Sequence, residues 1–270
     1  MQISDTKLSD ASISLDEFCA CVAEKLDRKE DFWECRYELQ KLSNNKSIVL
    51  DHIHNVLKGL WKETENKQDD IQYVQSAFSI RKHDFGNHQS FRIRALYWDT
   101  ISSSVHTNRL FVYDDIPHSH NFELLTIGHA GPGYHTTLWT YDDTKISGRV
   151  GEAVDMHYLG RYTLKQDCMI YYQQNHDIHM QHAPELPSVS LNLIYVPNPH
   201  NRQYFFDHKQ QKIHAVLPSA IDDHHALFTF ASYLGNADTV DILTELLKHK
   251  AIQSPENKAA AEHALKSIRF

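Results

Sequence analysis

The spacing of apolar residues changes twice along the chain. Between residues 14 and 64 apolar residues recur every three or four positions, which is typical of amphipathic helices; the first such stripe is Leu15, Phe18, Val22 and Leu26. From about residue 71 apolar and polar residues alternate instead, and this alternation indicates short, half-buried strands. Helical spacing returns after about residue 222. The chain is therefore expected to place a β region between two helical regions.

Many short alternating segments with turn residues between them are typical of an antiparallel sandwich or barrel. One of these segments is NRLFVYDD at 108–115. We predict a mainly β protein with helical additions at both ends, divided into a helical segment at 1–70, a β-barrel at 71–217 and a helical segment at 218–270. The last segment resembles a short HEAT-like fragment, too short for an independent solenoid.

Composition and charge narrow the classes of function. The chain has 270 residues and a formal net charge of −8, which disfavours nucleic acid as the main partner. No window of 18 apolar residues predicts a membrane span. The first residues are polar and acidic, unlike a secretory signal, and the four cysteines form no C-x-x-C pair. We therefore expect a cytoplasmic protein with reduced thiols that acts on a small molecule, away from membranes.

The stretch IPHSHNFELLTIGHAGPGYH, at 116–135, contains a His-x-His pair, His118 and His120. With 20 histidines in the chain, composition alone predicts about 1.5 such pairs, so the spacing needs support from its context. The other pair, His52 and His54, lies in a helical pattern, where residues two apart do not face each other. On a strand they do, so His118 and His120 can aim two imidazoles at one metal ion.

The H-S-H-N-F-E strand, the G-P-G turn after it and a later strand ending in histidine together resemble the cupin superfamily, over roughly residues 76–215. The resemblance implies a double-stranded β-helix barrel whose first motif supplies two histidines and a glutamate and whose second motif supplies one more histidine. The implied metal ligands are His118, His120, Glu123 and His179. Cupins often form dimers, so a homodimer is also considered.

Two of these matches depart from the cupin pattern. Only two residues separate His120 from Glu123, and by strand parity Glu123 points away from the histidine pair unless a bulge intervenes. A three-histidine site, as in the thiol dioxygenase branch of cupins, avoids this conflict. His176 competes with His179 as third ligand. We prefer His179 because its neighbours, Ile178 and Met180, would form the buried opposite face of a strand.

Three neutral imidazoles with open positions suit Fe(II) best, and Zn, Ni, Mn or Cu are alternatives. Arg92 and Arg94 share one face of a strand and could clamp a substrate carboxylate, although two solvated arginines would show the same pattern. Arg94 corresponds in position to the strand arginine of thiol dioxygenases. The other candidates are Tyr134 and Asn192 as pocket residues, and His135, His157, His176 and Asp177 as outer-shell groups or alternative ligands. His129 is expected in a solvated turn.

The resemblance therefore implies a metal-dependent cupin, and our first hypothesis is a mononuclear non-haem Fe(II) dioxygenase acting on a small carboxylate-bearing molecule. A second hypothesis is a non-catalytic cupin that senses a ligand or a metal. A third is a metal-dependent isomerase or decarboxylase, which would use the same ligands. The choice among these reactions rests on analogy, because one fold supports many chemistries.

Overall fold

The computed structural model describes residues 1–61, 77–86, 89–100, 116–197, 201–217, 225–249, 252 and 255–268. The chain forms two compact units, Met1–Asn198 with Gln203–Val216, and Pro199–Arg202 with Leu217–Phe270. The segment boundaries expected near residues 70 and 217, and the strand predicted at 108–115, fall at or beyond the edges of the described residues. The division into three segments therefore stays a prediction.

Three α-helices lie between the short first strand and the rest of the strands: α1 Leu15–Asp27, α2 Arg36–Asn44 and α3 Ile48–Trp61. Helix α1 begins at Ser14, whose side chain accepts a hydrogen bond from the backbone N–H of Glu17, while the Glu17 carboxylate accepts from the backbone N–H of Ser14. This reciprocal cap satisfies two N–H groups that a helix terminus leaves open. Phe18, Val22 and Leu26 of the apolar stripe of α1 are buried, as the spacing predicts, and Leu15 is partly buried.

Twelve strands of the described residues form two antiparallel six-stranded sheets. The strands are β1 Gln2–Ser4, β2 Ala77–Gly86, β3 Gln89–Trp98, β4 His118–Ser119, β5 Glu123–Ala130, β6 Tyr134–Thr140, β7 His157–Leu164, β8 Met169–Tyr172, β9 Asp177–His182, β10 Ser188–Val196, β11 Gln203–Asp207 and β12 Lys212–Leu217. The first sheet has the order β1-β8-β5-β10-β3-β2, and the second has the order β12-β11-β4-β9-β6-β7.

The eight strands from β3 to β10 carry the architecture. They contribute β8-β5-β10-β3 to one sheet and β4-β9-β6-β7 to the other, so the chain crosses repeatedly between the two sheets. This order is the double-sheet jelly roll, or double-stranded β-helix, that cupins share with other β proteins. The predicted fold class, mainly β and antiparallel with helical additions, is confirmed.

The central strands of the first sheet are buried on both faces. Leu125 and Ile127 of β5 face outward and pack in one cluster with Phe18 of α1 and Leu39 of α2. Leu124, which has the opposite parity, faces the other sheet and packs in one cluster with Tyr134 and Leu138 of β6. Each fully buried aliphatic side chain contributes roughly 1.5–3 kcal/mol, so the N-terminal helices and the sheet stabilise each other. Burial on both faces explains why β5 reads as a nearly continuous apolar run.

The described residues of the second unit form three helices, α4 His225–Leu234, α5 Ala237–Lys248 and α6 Pro255–Ser267. Its core contains Phe228, Leu243, Ala261 and Ala264. Helix α5 begins at Asn236, whose side-chain oxygen accepts from the backbone N–H of Thr239. The likeness to HEAT helices stays a prediction. No helix in the described parts of the chain is both long and apolar enough to cross a membrane.

Candidate metal centre

Three histidines converge between the two sheets. Strand β4 pairs antiparallel with β9, so that His118 lies opposite His179, and His120 follows directly after β4. The Nε2 atom of His179 lies 3.0 Å from Nε2 of His118 and 3.2 Å from Nε2 of His120. His120 and His179 are buried, and His118 is partly buried. Among the described residues, these three form the cluster of His, Cys, Asp and Glu side chains that could hold a metal ion.

The separations of the imidazole nitrogens fit a shared ion. Metal–imidazole bonds are about 2.0–2.1 Å long, so two nitrogens at right angles around one ion lie about 3.0 Å apart. The observed 3.0 and 3.2 Å therefore suit neighbouring ligands on one side of an ion, with further positions left for other molecules. Nitrogen donors of this kind bind Fe(II), Zn, Ni, Mn or Cu.

The environment keeps the three rings neutral. Burial lowers the pKa of His118 to about 4, and the charge of Arg94 adds to this effect. Burial, followed by the neighbouring ring charges, holds the pKa values of His120 and His179 well below the ordinary value. A ring that is neutral at pH 7 keeps one nitrogen lone pair free, and this lone pair is what a metal ion requires.

Neighbouring groups hold the rings in place. The Nδ1 atom of His118 lies 3.2 Å from the carbonyl oxygen of Ile116, and donation to this carbonyl leaves Nε2 with the lone pair. The ring of Phe122 stacks on His120 at a centroid distance of 4.5 Å. The ring of Tyr172 lies 4.4 Å from that of His179. The convergence of the nitrogens is therefore built into the packing.

The three histidines line a cavity of about 230 Å³. Three of the predicted substrate residues, Arg94, Tyr134 and Asn192, line the same cavity. The ring of Tyr134 stacks on Trp98 at 3.7 Å, and this pair forms an apolar wall. Asn192 is held by the hydroxyl of Thr126, which donates to its side-chain oxygen at 2.7 Å. Of the predicted substrate residues, Arg92 is not among those that line this cavity.

Arg94 is a partly buried cation that lines the cavity. Burial, followed by the charge of Arg92, lowers its pKa to about 10. The Nε atom of Arg94 is buried without a hydrogen-bond partner, and the part of the chain that the structure describes gives the guanidinium no acidic partner. Because a buried charge is costly unless it is paired, this guanidinium suits an anion entering the cavity.

Glu123, the carboxylate of the predicted ligand set, is not part of the cluster. Its Oε2 atom accepts from the hydroxyl of Tyr171 at 2.7 Å and from the backbone N–H of Gln174 at 3.2 Å. Strand parity is the reason, since Glu123 shares the outward face of β5 with Leu125. The bulge in the β5–β10 pairing lies at Val189/Ser190, near the other end of β5, and does not turn Glu123 inward.

The predicted outer-shell groups lie away from the cluster. His135 lies on the face of β6 opposite to that of Tyr134, which lines the cavity, and its Nδ1 atom lies 2.7 Å from the hydroxyl of Thr163. His157 is exposed at the start of β7. His157 and His176 line a separate open cleft of about 810 Å³. Asp177 contacts Nδ1 of His176 at 2.9 Å, so it orients that ring and not one of the three clustered imidazoles.

Sequence reasoning missed Gln181, a polar residue that contacts the histidine cluster, and misplaced His129. Gln181 lines the cavity, with its side-chain nitrogen 3.1 Å from Nε2 of His179. Its position two residues after His179 on β9 was an available signal, because such residues share a face. His129 was expected in a solvated turn, and this is wrong. His129 lies in β5, is 5% exposed and contacts the hydroxyl of Ser43 in α2 at 3.1 Å.

No protein-family model matches the chain, and no curated protein matches it. Solved structures that match in part include hydroquinone 1,2-dioxygenase from Sphingomonas sp. TTNP3 with 4-hydroxybenzoate bound, at 12% identity and a TM-score of 0.27 over 40% of this chain and 60% of that one. A structure of DMSP lyases matches at 10% identity and a TM-score of 0.27 over 52% and 59% of the two chains. Vicilin from Solanum melongena matches at 11% identity and a TM-score of 0.28 over 56% and 35%.

The match covers less than two thirds of each of these solved chains. At such low identities and TM-scores the likeness carries no functional argument. The strand order of the two sheets and the geometry of the cavity are therefore what define this protein: a double-stranded β-helix with three imidazoles suited to a metal ion.

Proposed function

We propose that this protein is a metal-dependent enzyme of the cupin type, a mononuclear non-haem Fe(II) dioxygenase acting on a small carboxylate-bearing molecule. One observation carries the proposal: three neutral imidazoles converge in a cavity that is also lined by Arg94, a partly buried arginine with no acidic partner among the described residues. The proposal includes a cytoplasmic location and a small-molecule substrate as the partner.

His118, His120 and His179 would hold the ion through their Nε2 atoms. When bound, an Fe(II) ion would supply a Lewis-acid and redox-active centre with positions open to O₂ and substrate. Among the alternatives, Zn or Ni would favour an isomerase or decarboxylase. The carbonyl of Ile116 keeps the lone pair of His118 on Nε2, so the ring need not reorient.

Arg94 would bind the substrate carboxylate. A hydrogen bond to a charged group contributes roughly 1.5–3 kcal/mol, and a guanidinium can donate two such bonds to one carboxylate. The stacked rings of Trp98 and Tyr134 would pack against the rest of the substrate and exclude water. The cavity of about 230 Å³ restricts the substrate to a small molecule.

The test is the metal content of the purified protein, measured by elemental mass spectrometry. The His118→Ala/His120→Ala variant removes two ligands. A matched control, His135→Ala/His157→Ala, removes two histidines of the same barrel that lie outside the cluster. We expect near-stoichiometric iron in the parent and in the control, and none in the ligand variant.

A positive result leads to an O₂-uptake screen with small carboxylates and carboxylate-bearing thiols, in which consumption of O₂ with one substrate supports the dioxygenase. Stoichiometric zinc or nickel would retain the metal centre and refute the iron dioxygenase. If the parent holds no metal even after anaerobic addition of Fe(II), the proposal of a metal-dependent enzyme is refuted and a ligand-binding cupin is favoured.

A further inference from the structure

Three polar side chains form a row across the inner face of the first sheet. Asn192 of β10 lies directly opposite Arg94 of β3 on one side and directly opposite Thr126 of β5 on the other. Residues that lie directly opposite each other in an antiparallel pair point to the same face, with their Cβ atoms about 4.5–5.5 Å apart. Arg94 and Asn192 both line the cavity, and His118 and His179 line it from β4 and β9 of the second sheet.

Hydrogen bonds fix the orientation of the Asn192 carboxamide. The indole N–H of Trp98 donates to the hydroxyl oxygen of Ser190 at 2.9 Å, and because an indole can only donate, the hydrogen of Ser190 remains for another bond. The Ser190 hydroxyl donates to the side-chain oxygen of Asn192 at 3.3 Å. The hydroxyl of Thr126 donates to the same oxygen at 2.7 Å, a typical distance between two oxygens in a hydrogen bond. The oxygen of the Asn192 side chain is therefore bound to its own sheet.

The side-chain nitrogen of Asn192 is left to face the cavity. None of the described residues accepts a hydrogen bond from this nitrogen, although Asn192 is only 3% exposed. A carboxamide nitrogen carries two N–H donors, and a buried donor without an acceptor is unfavourable. The neighbouring Arg94 is in the same condition, because its buried Nε atom also has no partner among the described residues. This wall of the cavity therefore offers N–H donors from two adjacent side chains.

A carboxylate matches this wall, because it has two acceptor oxygens and no hydrogen to donate. A primary amide of the same shape has one oxygen and one NH₂ group, and this NH₂ group would face another donor. We propose that Arg94 and Asn192 form one clamp for the substrate carboxylate, in which one carboxylate oxygen accepts from the guanidinium and the other accepts from the Asn192 side-chain nitrogen. The inference rests on the proposed function and adds Asn192 as the residue that selects the anion over its neutral amide.

The clamp and the candidate metal ligands lie on opposite sheets. Arg94 and Asn192 belong to the first sheet, and His118 and His179 belong to the second. The substrate carboxylate is then held at the first sheet, and the rest of the molecule extends towards the histidines. Binding of a carboxylate by the clamp does not require the ion, so the clamp can be tested with the metal-free protein.

The experiment is a calorimetric titration of the full-length, chelator-treated protein with acetate and with acetamide, which has the same shape and no charge. Asn192→Leu removes the donor. Asn192→Asp keeps an oxygen that accepts from Thr126 and Ser190 and replaces the NH₂ group by a second acceptor. Gln203→Leu is the matched control, because Gln203 is a carboxamide that lines the cavity from β11 of the second sheet. Circular dichroism verifies that every variant is folded.

We expect the parent and Gln203→Leu to bind acetate in preference to acetamide. Asn192→Leu should raise the dissociation constant of acetate about 10–100-fold, the range expected for one hydrogen bond to a charged group. Asn192→Asp should reverse the preference, because the oxygen of acetamide then faces Arg94 and its NH₂ group faces the new carboxylate. General damage to the cavity would not produce such a gain of acetamide binding.

Parent-like affinity of Asn192→Leu for acetate, or an Asn192→Asp variant that still prefers acetate, would overturn the role of Asn192. Equal weakening by Gln203→Leu and Asn192→Leu would also overturn it, because the effect would then not be specific to the clamp. A parent that binds no acetate would overturn the clamp, whereas the metal content of the same preparation tests the metal centre separately. A parent that prefers acetate and holds no metal would support the clamp and refute the enzyme.

Discussion

Replacing Arg94 by methionine should stabilise the metal-free protein while it removes anion binding. The Arg94 side chain is partly buried, its Nε atom is buried with no hydrogen-bond partner among the described residues, and burial lowers its pKa from 12.5 to about 10. Each tenfold change in an equilibrium corresponds to about 1.4 kcal/mol, so this pKa places an upper bound of about 3.4 kcal/mol on the cost of keeping the charge. Methionine keeps an unbranched apolar chain without the charge.

The sign of the effect follows from the protonation states. A depressed pKa of about 10 still leaves Arg94 charged at pH 7 in both the folded and the unfolded protein, so the cost is present throughout the neutral range. Because the side chain is partly exposed and solvent screens part of its charge, we expect a gain of about 1–2 kcal/mol in the free energy of unfolding.

Urea denaturation of the metal-free protein at pH 7 measures this gain. Arg92→Met is the control, because Arg92 lies on the same strand face outside the cavity lining and should change the stability by less than about 0.5 kcal/mol. In the same assay a small carboxylate such as acetate should stabilise the parent and not Arg94→Met. A loss of stability in Arg94→Met would refute the reasoning, because it would mean that the protein compensates the guanidinium internally.

Two further predictions concern the barrel itself. Burial lowers the pKa of His129 to about 4, whereas the pKa in the unfolded chain is about 6.5, so the unfolded chain binds a proton first as the pH falls. The parent should therefore lose stability as the pH falls from about 6.5 to 4. In urea titrations His129→Gln, which can keep a bond to Ser43, should lose about 1–3 kcal/mol less over that window, and parallel stability curves of the two proteins would contradict the prediction. Gly133→Ala should lower the stability measured by thermal unfolding by more than about 3 kcal/mol, because φ is +92° and a Cβ would lie 1.9 Å from the carbonyl oxygen of Leu164. The control Gly151→Ala, where φ is +85° and the space around a Cβ is open, should lower the stability by only about 1–2 kcal/mol. Equal losses in the two variants would contradict the steric argument.

Local periodicity predicted much of the fold and part of the site. The stripe that includes Phe18 and Val22 is buried as its spacing requires, and the alternation in β3 places Arg94 on the inner face. Strand parity also placed His118 and His120 together, and the flanking Ile178 and Met180 favoured His179 over His176. These predictions succeed because the face on which a side chain lies depends on its nearest neighbours along the chain.

Strand parity also predicts that Glu123 points away from the histidine pair, although the resemblance to the cupin motif implied that Glu123 is a ligand. A strand without a local bulge must send Glu123 to the face of Leu125, and it does. His129 was misjudged for a different reason. Its burial depends on Ser43 of α2, which is 86 positions away and covers that end of β5.

The sequence by itself determined the class of secondary structure and the residues that share each face of a helix or strand. It also determined that His118 and His120, two imidazole donors, lie on the same face of one strand. Only the tertiary structure decided which donors meet, because His118 and His179 are 61 positions apart and come together through the pairing of β4 with β9. It also decided that no acid in the described parts of the chain pairs with Arg94 and that Gln181 lies beside His179. Strand register and the covering of a face are long-range properties, set by the sum of many packing contacts, and no local pattern along the chain specifies them.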